Sequence, residues 1–388
     1  MTTTTLPPAT TPGPSRRLLE ALAEEASPHL GSLSYDDGLM PVGDPPTALP
    51  ASHEAWDQAA AELPRMWRDL SARRELPELP LLSAAPEDLA DEHLWRASVV
   101  LGALVYAYVR CDMHDLHLPA PVAVPSVLRL PWEEVARRMG RHRAHFSLDD
   151  LMLHNWARID PAGPITVENT RLLVPQTGSS TEAAFCLGFN EVSAACTPLV
   201  QAMVRGQDAA ASKDVDAVVQ SLLDVLDAVH HLTETALMKI DPVPLASPHA
   251  DPVIWAKLVA PTGIPVVSNV PGVSGAAAAG IQALDNFLGR VTHASPLGQE
   301  ALHVADNYAP NVRRFVAAMG QAPVRDFVLE SGDVGLRGLF QNVVDAYTGD
   351  RGYLGVHRRK VYGFIQTAFK VGRPSTASGI SGQYRARA

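Results

Sequence analysis

The chain has 388 residues, a hydrophobic fraction of 46% and a formal net charge of −10 at pH 7. That length accommodates one large domain or two smaller ones, and the apolar content is enough for a substantial core. The acidic balance argues against a nucleic-acid partner, because nucleic-acid-binding proteins usually concentrate basic residues on one surface.

The two ends of the chain are predicted to lack stable structure. Residues 1–14 are rich in Thr and Pro and contain no apolar signal region, which predicts a disordered tail rather than a secretory leader. Residues 372–388 are rich in Gly, Ser and Arg and are predicted to be mobile. No window approaches the roughly 18 apolar residues of a membrane span, so no membrane partner is expected. The three cysteines predict no disulfide framework and favour a cytoplasmic location.

Residues 15–125 are predicted to form a small N-terminal helical domain followed by a linker. The stretch "EDLADEHLWRASVVLGALVYAYVRC" predicts a long apolar helix with an acidic first turn. Prolines in the following "LPAPVAVPSVLRLP" predict an extended linker, because proline disrupts a helix interior. Between them, "CDMHDLH" combines a thiol, carboxylates and imidazoles. We interpret it as an exposed polar turn, with a metal site as the alternative.

Residues 126–371 are predicted to form a larger helical domain. The stretch "SSTEAAFCLGFNEVSAACTPLVQAMVRG" predicts a helix with a Ser/Thr–x–x–Glu cap that ends at Gly206. Strand-like alternation is scarce, with "GIPVVSNVPG" as the main exception, so the predicted fold class is all-α. The small residues of "GVSGAAAAG" do not match a dinucleotide-binding fingerprint. They either present backbone N–H groups to a ligand or simply permit close helix packing.

The last predicted helix, "GYLGVHRRKVYGFIQTAF", carries a histidine on its apolar face. Leu354, His357, Val361 and Phe364 recur at helical spacing, which predicts that His357 faces the core. Such a residue is either a core histidine with satisfied hydrogen bonds or an axial haem ligand, which requires a neutral imidazole in a dry helical pocket. Composition and spacing leave both interpretations open.

Two groups of motifs resemble the indoleamine 2,3-dioxygenase family of haem proteins. The first comprises "VLGALVYAYV", "VAVP" and "HNWARIDPAGPITVEN". The second runs from "APNVRRF" through "PVRDFVLESGDVGLRGLFQNVVDAY" to "YGFI", with a histidine eight residues before Ile365. The resemblance implies an all-α fold in which a small N-terminal domain caps a larger helical domain that holds haem b. It also implies a reaction of O₂ with the indole of tryptophan.

The resemblance also implies which residues hold the cofactor. His357 falls on the family's proximal iron ligand, and Asp285 falls on a carboxylate near the haem. Ser274 and Gly275 match a Ser–Ala pair beside the haem and the substrate. Arg351 is the nearest candidate for an arginine that precedes the iron ligand in the family.

The predicted substrate side departs from the family's pattern. Tyr108 matches an aromatic residue of the distal pocket, but Ala183 and Ala184 replace a pair of Phe residues, and Leu187 follows on the same helix. Lys257 falls where the family has an arginine that receives the substrate carboxylate. Because lysine cannot form a planar bidentate grip, we expect a wider pocket with altered carboxylate recognition. The "TASGISG" tail resembles the segment that closes over the substrate.

The predicted function is a haem-dependent oxygenase that acts on tryptophan or a substituted indole in specialised metabolism. The alternatives are a haem enzyme that performs monooxygenation or rearrangement of a tryptophan derivative, and a non-catalytic haem sensor or carrier. The expected partners are a small indole-type molecule and O₂. The sequence leaves the oligomeric state open.

Overall fold

The computed structural model describes residues 14–25, 33–111, 123–243, 248–264, 266–267, 278–293 and 308–371. Within these ranges the protein is helical, and its one sheet pairs two short antiparallel strands, β1 (Trp156–Arg158) and β2 (Thr170–Leu172). This confirms the all-α class. The strand predicted in "GIPVVSNVPG" falls mostly outside the described residues, and so do the predicted tails, which include "TASGISG".

Sixteen helices are numbered here in chain order within the described ranges. They are α1 (Pro14–Glu25), α2 (Glu54–Ala61), α3 (Leu63–Asp69), α4 (Ala72–Glu75), α5 (Leu94–Arg110), α6 (Ser126–Arg138), α7 (Ser180–Ala195), α8 (Thr197–Ser212), α9 (Val215–His231), α10 (Pro252–Ile254), α11 (Ala260–Thr262), α12 (Ala279–Phe287), α13 (Pro310–Gln321), α14 (Val324–Ser331), α15 (Val334–Thr348) and α16 (Tyr353–Lys370). Three π-helical segments add to them: Asp149–Leu153, Leu232–Ala236 and Trp255–Val259.

The long apolar helix predicted before the linker is present as α5. It is buried on every side from Leu94 to Ala107, as expected for a helix that is apolar all round. Its predicted acidic first turn lies instead in a separate 3-10 turn, Asp91–His93. Gly102 lets Phe146 approach closely, since a Cβ at Gly102 would lie 2.4 Å from that ring.

The linker prediction is wrong for residues 126–131, which are helical. α6 begins directly after Pro125, whose ψ of 145° is typical of extended backbone. The Pro125 carbonyl then accepts the amides of Leu128 and Arg129. Pro131 lies early in α6, where it removes one backbone hydrogen bond, and its buried ring packs beside Trp132.

The single helix predicted to end at Gly206 is two helices, α7 and α8, separated at Cys196. The predicted cap is confirmed, because the Ser179 hydroxyl accepts the Glu182 amide at 3.1 Å. α8 continues past Gly206 to Ser212 and ends at Lys213, which adopts a left-handed φ of 59°. Gly206 therefore does not end a helix; it allows close packing against α9.

Together α7 and α8 form an apolar segment, Ser180–Ser212, that is long enough to cross a membrane by length and composition. The prediction that no window approaches this limit is wrong. The segment is weak evidence for a span, because 56% of its apolar window is buried inside the fold and the core helix of a globular protein passes the same test.

The N-terminal helix packs against the C-terminal half of the molecule. α1 contacts α8 and α13, and the Ser15 amide donates to the Asp208 carboxylate at 2.6 Å. One buried hydrophobic cluster extends from Leu19 in α1 to Tyr353 in α16. The predicted boundary between the domains at residues 125 and 126 stays a prediction.

Candidate functional site

The histidine predicted as the iron ligand lies in the second turn of α16. The predicted helix is confirmed, and the half-buried His357 imidazole makes no hydrogen bond to any residue that the structure describes. Its ring lies parallel to that of Tyr353, with 6.2 Å between centroids and 7° between planes. Burial lowers the pKa of His357 to about 4, so the imidazole is neutral at physiological pH.

These properties fit the axial position of a haem. A haem supplies its own four ring nitrogens to the iron, so the protein needs to provide only one further donor. Among the described residues, no cluster of three or more His, Cys, Asp or Glu side chains could hold a bare metal ion. Most of "CDMHDLH", the alternative metal segment, lies outside the described residues. A neutral imidazole without a hydrogen bond to a described residue leaves a ring nitrogen available to an iron atom.

Two tyrosines connect His357 to Asp285. The Tyr347 ring stacks on the Tyr353 ring, with 6.4 Å between centroids, and the Tyr347 hydroxyl donates to Asp285 Oδ1 at 2.8 Å. Arg290 donates to both Asp285 oxygens, at 2.7 and 2.9 Å. Burial raises the pKa of Asp285, while Arg290 and Tyr347 act against that rise. Asp285 thus anchors the rings that orient His357.

Arg290 donates hydrogen bonds to Asp285, and the sequence analysis did not predict this pair. The sequence signal that could have revealed this pair is the position of Arg290, five residues after Asp285. Arg351, predicted to bind the cofactor, is exposed between α15 and α16, and no described contact joins it to His357 or Asp285. Ser274 and Gly275, the other predicted cofactor residues, lie outside the described residues.

A narrow cavity adjoins the turn of α16 that precedes His357. It holds about 610 Å³ of empty space, its open mouth included. Its wall comprises Leu39, Leu148, Asp149, Leu153, Phe189, Val192, Ser193, Cys196, Ala278, Ala279, Gly280, Ile281, Val312 and Tyr353. The wall is mainly apolar. None of the residues predicted to bind substrate contributes to it among those that the structure describes.

The predicted substrate residues of α7 point to two different hydrophobic clusters. Ala183 and Leu187 pack in a cluster with Trp156 and Leu153. Ala184 belongs to a second cluster with Trp255 and Phe364. The structure therefore does not bring all three residues into one pocket.

Aromatic rings pack around the small side chain of Ala184. Trp255 lies 5.3 Å from Phe364 and 5.6 Å from Phe185, measured between ring centroids. All three rings belong to the cluster that contains Ala184, either buried in it or packed against it. The space that a phenylalanine would take at this position is thus bordered by other aromatic residues.

The other two predicted substrate residues that the structure describes, Tyr108 and Lys257, do not line the cavity. Tyr108 is half-buried on α5, where it packs against the main hydrophobic cluster, and its carbonyl accepts the Arg73 guanidinium. Lys257 is exposed on the π-helical segment Trp255–Val259. Its proposed role toward a substrate carboxylate stays a prediction.

The structure thus defines a helical protein with a candidate haem site built on a single histidine. The family model for indoleamine 2,3-dioxygenase matches residues 32–244, which is more than half of the chain. The chain belongs to the indoleamine 2,3-dioxygenase family and is a haem-dependent dioxygenase, an oxidoreductase. His357 and Asp285 lie beyond the residues matched by the family model.

Individual relatives agree with this assignment. Human indoleamine 2,3-dioxygenase 2 is 27% identical over 354 residues, which cover 85% of this chain and 83% of the relative. Mouse indoleamine 2,3-dioxygenase 1 is 28% identical over 191 residues, 49% of this chain and 46% of the relative. The 6-hydroxytryptophan 2,3-dioxygenase of Fusarium equiseti is 28% identical over 203 residues, 51% of this chain and 48% of the relative.

Proposed function

We propose that the protein holds haem b through His357 and adds both atoms of one O₂ molecule across the C2–C3 bond of tryptophan or a substituted tryptophan. With tryptophan the product would be N-formylkynurenine, which accounts for every atom of the substrate and of O₂. The observation that carries the proposal is the neutral His357 imidazole, which makes no hydrogen bond to a described residue. Haem bound there would supply the binding and activation of O₂.

The residues around His357 hold its imidazole in a fixed orientation. Tyr353 stacks on the His357 ring and Tyr347 stacks on Tyr353, so the plane of the imidazole is held before any ligand binds. The hydrogen bond from Tyr347 to Asp285 fixes the far end of this stack. No protein base is required for the proposed reaction, because the indole is itself electron-rich at C2 and C3.

The substrate class is proposed from two further considerations. One relative is named for 6-hydroxytryptophan, a substituted tryptophan, whereas the mammalian relatives are named for indoleamines. The resemblance implies that Ala183, Ala184 and Lys257 replace a pair of phenylalanines and an arginine on the family's substrate side. We therefore propose a substituted tryptophan of specialised metabolism as the substrate, and a cytoplasmic setting in which the three cysteines stay reduced.

The first test is an anaerobic spectrum of the ferrous protein, followed by O₂ with L-tryptophan and with 6-hydroxytryptophan. A product heavier than the substrate by the mass of O₂ is the expected result with at least one of them. A product that gains a single oxygen atom would replace dioxygenation by monooxygenation. A normal haem spectrum without any product from either compound would favour a haem sensor or carrier.

His357→Ala tests the ligand itself. The variant should lose stable haem binding, because it removes the imidazole that would bind the iron, and titration with haemin should give no stoichiometric Soret band. His231→Ala is the matched control, since His231 is exposed at the end of α9. An unchanged Soret band in His357→Ala would overturn the assignment.

A further inference from the structure

A second cavity, the α6 groove, lies between one face of α6 and the loop of residues 141–144. It holds about 940 Å³ of empty space, its open mouth included, and it shares no lining residue with the cavity beside α16. Its wall contains four arginines and a single glutamate, although the chain as a whole carries a net charge of −10. The residues that α6 contributes are spaced at three- and four-residue steps: Arg129, Trp132, Glu133, Ala136 and Arg137. The charge of this groove favours an anionic ligand.

Two of the arginines are already held by carboxylates outside the groove wall. Arg137 donates through Nε and Nη2 to Glu134, at 2.8 and 2.6 Å. Arg141 donates to Asp150 at 2.8 and 2.9 Å. Arg129 differs from both, because its one hydrogen bond to a described residue runs from Nη1 to Glu133, at 2.9 Å. Its Nε and Nη2 are therefore available to an anion.

The ion pair between Arg129 and Glu133 is a weak one. The two side chains are 44% and 50% exposed, and exposed pairs contribute little to stability. The arginine also precedes the glutamate by four residues, which is the less favourable order along a helix. An incoming anion could displace the Glu133 carboxylate from Arg129 at a small cost.

Trp132 adds a buried donor to the same face of α6. The residue is only 4% exposed, and its indole N–H makes no hydrogen bond to any residue that the structure describes. A buried indole N–H usually finds an acceptor. Arg129 lies one helical turn before Trp132, and its exposed side chain can change rotamer. An oxygen atom held by Arg129 would supply the acceptor that this N–H lacks.

We propose that the α6 groove binds a small organic anion, whose phosphate or carboxylate group displaces Glu133 from Arg129 and accepts a hydrogen bond from Trp132. Both groups match the planar fork of a guanidinium. Val124 and Val267 give the groove apolar wall for the organic part of the ligand. The site involves neither haem nor O₂, so it does not depend on the proposed function.

The test follows the indole N–H signals of the purified protein, ¹⁵N-labelled in its six tryptophans, by NMR. Trp132→Phe identifies the Trp132 signal by its loss. Phenyl phosphate and benzoate carry an oxyanion on a ring, inorganic phosphate carries only the oxyanion, and phenol carries the ring without the charge. Phenyl phosphate, benzoate or both should shift the Trp132 signal until it saturates. The tighter of the two identifies the natural group as phosphate or carboxylate, and inorganic phosphate should bind more weakly than phenyl phosphate.

Two substitutions on α6 should change the affinity in opposite directions. Arg129→Gln should weaken binding of the tighter ring anion by about 3- to 10-fold, because it removes the charge that holds the oxyanion. Glu133→Gln should strengthen binding by about 2- to 5-fold, because it removes the competing carboxylate. Arg205→Gln is the matched control, since Arg205 on α8 is 45% exposed, pairs with Asp224 and does not line the groove. It should leave the affinity unchanged.

Several results would overturn the site. One is a Trp132 signal that no probe shifts, or that phenol shifts as strongly as phenyl phosphate. Another is equal weakening by Arg129→Gln and Arg205→Gln, which would reduce the effect to the general charge of the protein. Weakening by both Arg129→Gln and Glu133→Gln would give their ion pair a structural role instead. Circular dichroism establishes that each variant is folded, and no readout involves oxygenation, so failure of the proposed function leaves this test intact.

Discussion

Asp149 should make the stability of the protein depend on pH in the opposite sense to an ordinary surface carboxylate. Burial, reinforced by Asp150 and opposed by Arg141, raises its pKa to about 6 in the fold, against a usual value of 3.8, so the folded chain holds this proton more tightly than the unfolded chain does. Its favourable contribution is therefore present below about pH 4 and is lost as the pH rises through about 6. At higher pH the ionised group destabilises the fold.

Asp149→Asn should consequently be more stable than the native protein at about pH 8, by about 1–3 kcal/mol in the free energy of unfolding. The difference should shrink toward zero at about pH 4. Urea titrations at both pH values, with Asp326→Asn at an exposed position of α14 as the control, measure it. An Asp149→Asn protein that loses stability at the higher pH would show that the carboxylate has a partner.

Residue-level prediction from sequence succeeded where a residue's role follows from its own helix. His357 could be placed on the inner face of α16 from periodicity alone, and the structure confirms that helix. Asp149 could not be singled out, because the sequence shows two adjacent aspartates and gives no sign of which one Arg141 pairs with. The stack of Tyr347 and Tyr353 likewise joins two helices, so its geometry depends on the turn between them.

At the scale of elements, two helical glycines differ in what surrounds them. A Cβ at Gly206 in α8 would lie 2.3 Å from the Ser221 hydroxyl and 3.0 Å from the Phe287 ring. At Gly338 in α15, nothing lies within 4 Å of such a Cβ. Both substitutions by alanine gain helix propensity, so only the packing distinguishes them.

Gly206→Ala should therefore lower the free energy of unfolding by about 1–3 kcal/mol, because overpacking outweighs propensity. Gly338→Ala should raise it by about 0.5–1 kcal/mol. Chemical denaturation of the two variants beside the native protein measures both changes. Stabilisation by both alanines would mean that α8 and α9 separate easily, contrary to the close contact.

Element boundaries were predicted well where local chemistry sets them and poorly where packing does. The Ser179 cap of α7 follows from a local motif, and the structure confirms it. Gly206 has the local signature of a helix end, yet its small size serves the contact with α9 and α12. Pro131 has the signature of a linker, yet burial beside Trp132 keeps it helical. In both cases a tertiary contact overrides the local preference.

At the scale of the whole molecule, α1 links the predicted N-terminal domain to the helices of the site. Leu22 is fully buried in the same hydrophobic cluster as Tyr353, and α1 packs on α8 and α13. Leu22→Ala should lower the free energy of unfolding by about 2–5 kcal/mol, through lost burial and the cavity that it leaves. Because the cluster is continuous, the loss of helix and the release of haem should occur at the same, lower temperature.

Circular dichroism and Soret absorbance recorded during one thermal scan test this coupling. Leu329→Ala is the control, since Leu329 is 47% exposed on α14. Its truncation should change neither the temperature of helix loss nor that of haem release. If Leu22→Ala lowers the temperature at which helix is lost but leaves the temperature of haem release unchanged, α1 belongs to a domain that unfolds independently. Coincident shifts would instead mean that the N-terminal helix stabilises the histidine site through the shared core, although the two are far apart in the sequence.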